Sequence, residues 1–400
     1  MTVRLGLDRV RDEGFRLPGA GRIGLVANAS SVGRDFLSAP EILLGINGVR
    51  LDRIFSPQHG YGGEKQDNMI ESDHGTHSVT GLPIFSLYGE VREPTDAMLD
   101  GLDAVVFDVP DVGTRVYTFL ITMLHVMRAA GRCGVPVYVL DRPNPIGPRI
   151  DGPILTPEFR SFVGLSPVPL QHGLTAGEYA SFGRTALGID VDLQVVTMNG
   201  WRRNLPYDLT GVPWVFPSPN MPTLETAVVY PGGVMLEGVN LSEGRGTTRP
   251  FELFGAPWID PRGVVGEIVS ARRASGSNAL EGALLRQVSY EPTFHKFLGE
   301  TVHGFQMHVL DRKSFRPVLA YVEVFRAIRA HHGRLFDWRQ PPYEYETEKL
   351  PIDLITGSTQ VRQAIEDNVP AVELAREWVL ELDQYREAVR PHLLYSGGLV

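Results

Sequence analysis

Between residues 55 and 68 the chain reads FSPQHGYGGEKQDN, with a histidine, amides, acids and a lysine threaded among glycines. Three more segments share that texture: DVPDVGTRVYT (108–118), LDRPNPIGP (140–148) and NLSEGRGTT (240–248). Glycine lets backbone approach a ligand closely, and proline stiffens the loop that holds it. The carboxyls of Glu64, Glu71, Asp108, Asp111 and Glu243 offer proton transfer, and His59 can accept or donate. Arg115, Arg142 and Arg245 present flat guanidinium forks suited to a carboxylate. Arg245 has a glycine on either side and is sterically the freest of the three. Each residue also has a plainer role: Asp111 as a turn former before Gly113, Asp141 as an anchor for Arg142 or a backbone amide, Arg115 and Tyr117 as partners of Asp108.

These residues fall where an alternating pattern of strands and helices would place them together. RIGLVAN (22–28), LDRIFS (51–56), LPIFSLYG (82–89), LDAVVFDV (102–109) and VPVYVLDRPN (135–144) read as strands. VYTFLITMLHVMRAAGR (116–132) reads as a helix, and another is expected over 36–47. Such alternation predicts a parallel sheet covered on both faces, with ligands bound beyond the carboxyl ends of its strands. Asn28, Gln58, His59, Asp108, Asp111, Asp141, Arg142 and Asn144 all lie just past strand ends. No G-x-G-x-x-G follows the first strand, where the chain reads ANASSVGRD, so no nicotinamide or flavin cofactor is expected. After about residue 150 the texture changes. Thr175 and Glu178 form a capping box for a helix, and ETVHGFQMHVLD reads as strand. We expect an N-terminal α/β unit over 1–150 and a second, smaller α+β unit over 151–400, with the C-terminal segment packing back on the body.

The 400 residues carry a net charge of −9, which argues against a protein that tracks nucleic-acid phosphates. Cys133 is the single cysteine, so no intrachain disulfide or thiolate cluster can form. It lies between a helix pattern and a strand pattern and is expected to be a buried structural thiol. ESDHGTH (71–77) holds acids and histidines, but its spacing matches no metal signature and it reads as a solvated turn. The start has no apolar signal-peptide core and no membrane-spanning run occurs, so the chain is expected to be cytoplasmic, or exported by a route without such a signal.

Taken in order, PQHG, GLPIFSLYG, DVGTRVYTF, LDRPNPIG, SFVG, PLQHGLTAGE, WVFPSPNMPT, YPGG, LEGVNLSEGRGTTRPFE and GAPW resemble the exo-acting β-N-acetylmuramidase family of peptidoglycan recycling. The resemblance runs from about residue 22 to past 310. It implies a Rossmann-like N-terminal domain beside a smaller domain, with the active cleft between them. It implies hydrolysis of a terminal β-linked N-acetylmuramic acid from the non-reducing end of a sugar chain, with no cofactor. The implied substrate is a small molecule or oligosaccharide with an anionic amino sugar, not a nucleic acid. Asn28, Arg115, Tyr117, Asp141, Arg142, Asn144, Asn220, Glu243 and Arg245 would hold that substrate, the arginines taking its lactyl carboxylate. One position departs from the pattern: the family's PEHG glutamate is Gln58 here. An amide has no proton to give at neutral pH, so Glu64 or Glu71 is expected to supply the acid, with Gln58, His59, Asp108 and Asp111 orienting sugar or water. The departure leaves two alternatives: a hydrolase of a related amino sugar with a different acid, or a carbohydrate-binding protein without catalysis.

Overall fold

The computed structural model describes residues 2–13, 21–67 and 69–400; Asn68, the last residue of the first polar segment, lies outside them. Among the described residues up to 140, six strands form: β1 (Arg22–Val26), β2 (Arg50–Ser56), β3 (Gly75–Thr76), β4 (Pro83–Ser86), β5 (Ala104–Phe107) and β6 (Val137–Leu140). A small antiparallel pair follows, β7 (Asp151–Ile154) with β8 (Pro169–Gln171). The chain then returns to the large sheet as β9 (Leu193–Val196), beside β6. The resulting seven-stranded order is β3-β4-β2-β1-β5-β6-β9, parallel throughout except for the β3–β4 edge. The chain reverses its direction of travel across the sheet at β1, the switch point of a Rossmann-like arrangement. The expected division at residue 150 cuts this sheet, because β9 lies beyond it.

Side chains alternate along each central strand, as a pleated ribbon requires. Ile23, Leu25, Ala104, Val106, Tyr138 and Leu140 pack on one face, against Leu7, Val10, Ile42 and Leu43 of the helices Gly6–Asp12 and Ala39–Leu44. Val26, Val105, Phe107, Val137 and Val139 face the other way, into a core that continues to Val389. The helix Phe119–Arg132 fills that second face. Ten of its fourteen residues are buried, which is why its sequence is apolar nearly all round. Cys133 follows its last turn and is exposed, not buried as expected, because the helix end projects into solvent.

The C-terminal half contributes a three-stranded antiparallel sheet, β10 (Leu253–Ala256), β12 (Val302–Val309) and β11 (Ala283–Tyr290) in spatial order. The buried helix Pro317–His332 packs between Leu224–Gly233, Pro261–Ser275 and Ala371–Val389. The final residues do pack back: Ile150 donates its N–H to the Val400 carbonyl (2.8 Å), and Val400 donates to that of Pro148 (3.1 Å). Among the described residues no helix is long and apolar enough to cross a membrane.

Candidate active site

Just past the end of β2, Gln58 turns inward. The Thr118 hydroxyl donates to its Oε1 (2.6 Å), and its Nε2 donates to Glu344 Oε1 (3.2 Å). His59 follows with φ 75°, in the left-handed region that suits few non-glycine residues. Its Nδ1 lies 2.7 Å from the Lys65 carbonyl, which can only accept, so the ring proton sits on Nδ1. Burial drives the imidazole pKa down to about 4, leaving a neutral ring whose Nε2 accepts.

Both residues line a recess of about 480 Å³, a volume that includes space open to solvent. Its opposite wall is the segment around Arg245, between Gly244 (φ 73°) and Gly246 (φ 79°). A Cβ on Gly244 would sit 2.5 Å from the Leu253 carbonyl oxygen, so glycine is required there by both conformation and space. Arg245 is not a free cation. Nη2 donates to Glu237 Oε1 and Nη1 to Glu243 Oε1, both at 2.8 Å. Its Nε–H has no hydrogen-bond partner among the described residues. Burial would raise the Glu243 pKa, but Lys296, His295 and Arg245 together hold it well below the usual carboxylate range.

The third wall comes from the far end of the sequence. Tyr343 donates to Glu237 Oε2 (2.7 Å), and Glu344 enters the cavity beside it. Tyr88 donates to Glu344 Oε2 (2.7 Å). Glu344 and Tyr345 both have positive φ, 43° and 69°, a backbone choice that costs about 1–3 kcal/mol per residue. Gln58, Arg245 and Glu344 are each 5% exposed. Burial raises the Glu344 pKa to about 7; the Tyr88 and Gln58 hydrogen bonds oppose the rise and nearby Glu237 adds to it. Tyr117, Tyr230 and Phe251 supply aromatic surface, with ring centroids 5.9 Å apart for the first pair and 4.7 Å for the second. Thr118, the N-cap of the helix Phe119–Arg132, gives its hydroxyl to Gln58, so the first turn of that helix has no side-chain cap at the cavity wall.

The remaining wall is the proline-rich WVFPSPNMPT. Asn220 donates to the Gln66 carbonyl (2.6 Å), and Asn28 holds the segment through the Pro217 carbonyl (3.0 Å). Beyond it lies a second recess of about 470 Å³ at the ends of β1, β5 and β6, lined by Asp111, Arg142, Tyr207 and Trp214. The strand-end residues thus divide into two neighbouring groups with the 214–221 segment between them. Gln58, His59, Tyr117, Asn220 and Arg245 share the first cavity; Asp111 and Arg142 line the second.

Several expected roles change with these positions. Asp108 and Arg142 form a buried two-pronged ion pair (2.7 and 2.8 Å), so Arg142 already has its carboxylate and Asp108 cannot serve as a base. Arg115 spends its guanidinium on the carbonyls of Pro153, Val168 and Ile355 and ties backbone segments together. Asp141 accepts from Thr175, Gly177 and Tyr395 at a helix start, and its pKa is pushed up to about 6 by burial against those bonds. Asn144 bonds to the Leu174 carbonyl and closes its own turn. Glu243 is an internal partner of Arg245. Glu64 is exposed over Gly60 and Gly62, and Glu71 is exposed beside Arg92 and the Tyr345 hydroxyl. Neither is among the described residues lining the cavity. His74 and His77 bond within their own turn and strand edge, to the Ser86 amide and the Thr80 hydroxyl.

Glu237, Glu344, Tyr343, Tyr88 and His172 were missed. His172, in PLQHGLTAGE, accepts from the Leu174 amide on Nδ1, which puts its proton on Nε2, 3.2 Å from Asp111. Glu237 lay inside a quoted motif, and the repeat YEYE (343–346) after two prolines was the available signal for Glu344.

Two family models match most of the chain: exo-beta-N-acetylmuramidase NamZ, N-terminal, over residues 23–225, and its C-terminal counterpart over 228–395. The sequence is 38% identical over 394 residues to the peptidoglycan beta-N-acetylmuramidase NamZ of Bacillus subtilis (strain 168), covering 98% of this chain and 91% of that one. A crystal structure of a DUF1343 family protein from Bacteroides fragilis NCTC 9343 superposes with a TM-score of 0.86 at 28% identity, covering 98% of this chain and 99% of that one. A second DUF1343 protein of that organism covers both chains fully (100%) with a TM-score of 0.75; at 24% identity it bears on the fold alone.

Proposed function

Because the chain belongs to the exo-β-N-acetylmuramidase NamZ family, we propose that it is a glycoside hydrolase releasing terminal β-linked N-acetylmuramic acid from the non-reducing end of peptidoglycan fragments. One observation carries the reading for this chain: two buried carboxyl groups, Glu237 and Glu344, meet in a single aromatic-walled cavity with opposite surroundings. Glycosidic hydrolysis commonly needs such a pair, one carboxyl to protonate the leaving oxygen and one charged group to support the developing positive charge at C1. A sugar bearing a 2-acetamido group can also supply its own carbonyl for the second task.

An anionic terminal sugar suits the cavity's donors. Arg245 keeps its Nε–H unbonded at a buried position, and an orphaned donor there is satisfied when a ligand oxygen arrives. The uncapped start of the helix Phe119–Arg132 adds positive potential at the same wall. Tyr117, Tyr230 and Asn220 would contact ring and acetamido group. We place the division between the two units near residue 226, where the two family models meet, so that the cavity draws Gln58, His59 and Tyr117 from one and Glu237, Arg245 and Glu344 from the other.

The test is turnover by the full chain of N-acetylmuramyl-β-1,4-N-acetylglucosamine and of an aryl β-N-acetylmuramide. Free N-acetylmuramic acid, measured by mass spectrometry between pH 4 and 9, is the expected product. Binding without release of sugar anywhere in that range would overturn the hydrolase reading.

A further inference from the structure

We propose that Glu344 is the acid that protonates the departing glycosidic oxygen, an inference that rests on the muramidase reading above. The geometry singles it out. Glu344 enters the cavity from a turn whose two central residues both hold left-handed backbone, and its carboxyl is clasped by neutral donors, Tyr88 on Oε2 and the Gln58 amide on Oε1. Glu237, the other carboxyl of the cavity, is salt-bridged to Arg245 and bonded to Tyr343. Two carboxyls whose surroundings differ in this way divide the labour of acid and of charge stabiliser.

The groups facing Glu344 come from every wall. Tyr88 and Gln58 come from the sheet side, Tyr230, Glu237 and Arg245 from the second half, and Tyr343 from its own turn. Burial together with the like charge of Glu237 outweighs the hydrogen bonds and the more weakly felt Arg245, and brings the carboxyl to about 7. Such a group is still protonated in about half of the molecules at neutral pH and releases its proton readily. The step balances within the site. The Glu344 proton goes to the glycosidic oxygen as the C1–O bond breaks, and the bonding electron pair leaves with that oxygen. Water then provides the new C1–O bond, and the proton it sheds restores Glu344.

Leaving-group dependence separates an acid from a structural residue. Glu344→Gln is expected to lower kcat/KM on N-acetylmuramyl-β-1,4-N-acetylglucosamine by about 10³-fold, since its sugar alkoxide cannot leave unprotonated. On 2,4-dinitrophenyl β-N-acetylmuramide, whose phenolate needs no proton, the loss is expected to stay below about tenfold. That ratio is independent of the fraction of folded enzyme. The wild-type profile for the disaccharide should lose activity as pH rises through about 7, and this limb should be absent in Glu344→Gln. Tyr88→Phe keeps the acid but removes a donor that favours its charged form, so the limb should move to higher pH. Equal losses on both substrates, no loss on either, or an unmoved limb in Tyr88→Phe overturns the assignment. A wild-type chain that cleaves neither substrate overturns the muramidase reading itself, and the role of Glu344 with it.

Discussion

At position 58 an amide meets the carboxyl of Glu344, and the consequences can be measured. Gln58→Glu would set a second carboxyl against the first, and like charges so placed raise one pKa strongly. We expect the alkaline limb of kcat/KM to shift upward by about one pH unit or more, read from pH–rate profiles. Glu344 also leaves a mark on stability. Its native pKa of about 7 lies above the ordinary 4.5, so between these values the native state holds a proton that the unfolded chain has lost. Stability is therefore lost as pH rises through that window, on the order of 3 kcal/mol from this group. Urea titrations should show Glu344→Gln gaining about that much on wild type between pH 4.5 and pH 8. His59 slopes the other way: its native value of about 4 against 6.5 means stability falls as pH drops through that range. The chemistry of Gln58, His59, Asn220 and Arg245 was legible in their residue types and loops. Glu237 and Glu344 were not, because nothing local tells a buried glutamate from an exposed one. The guanidinium forks of Arg142 and Arg245 do take carboxylates, but these are the protein's own: Asp108 for Arg142, and Glu237 with Glu243 for Arg245.

Strands and loops explain why the strand-end residues split into two groups. Valine-rich runs and period-two alternation made β1, β2, β4, β5 and β6 readable in the sequence, and the strand-end rule then pointed to the edge where both recesses lie. It could not show that the 214–221 segment lies at the end of β1, where Asn28 donates to the Pro217 carbonyl, because proline-rich irregular chain carries no periodicity. Nor did the four residues of β9 announce a strand, which is why the expected division fell near 150, inside the sheet. The Asp108–Arg142 pair, at the ends of β5 and β6, fixes this edge. Arg142→Met would leave Asp108 buried and unpaired, at a cost of roughly 3–5 kcal/mol in urea unfolding. Asp108→Asn with Arg142→Met should recover part of that loss, because no lone charge remains.

Over the whole molecule, one core runs from Val26 to Val389 and joins the sheet to the C-terminal helices. That continuity holds Glu344 against Gln58 across 286 residues of sequence. Residues 393–400 close the assembly. The Val400 bonds to Pro148 and Ile150 and the 2.5 Å hydrogen bond from Tyr395 to Asp141 tie them to the loop after β6. Deleting 393–400 should lower Tm by about 5 °C or more in calorimetry. The most direct test of the account is the structure of the full chain soaked with N-acetylmuramic acid. We predict the sugar in the cavity walled by Gln58, Arg245 and Glu344, with its anomeric oxygen within hydrogen-bond reach of the Glu344 carboxyl. A sugar seated instead in the Asp111–Trp214 recess, with that cavity empty, would contradict it.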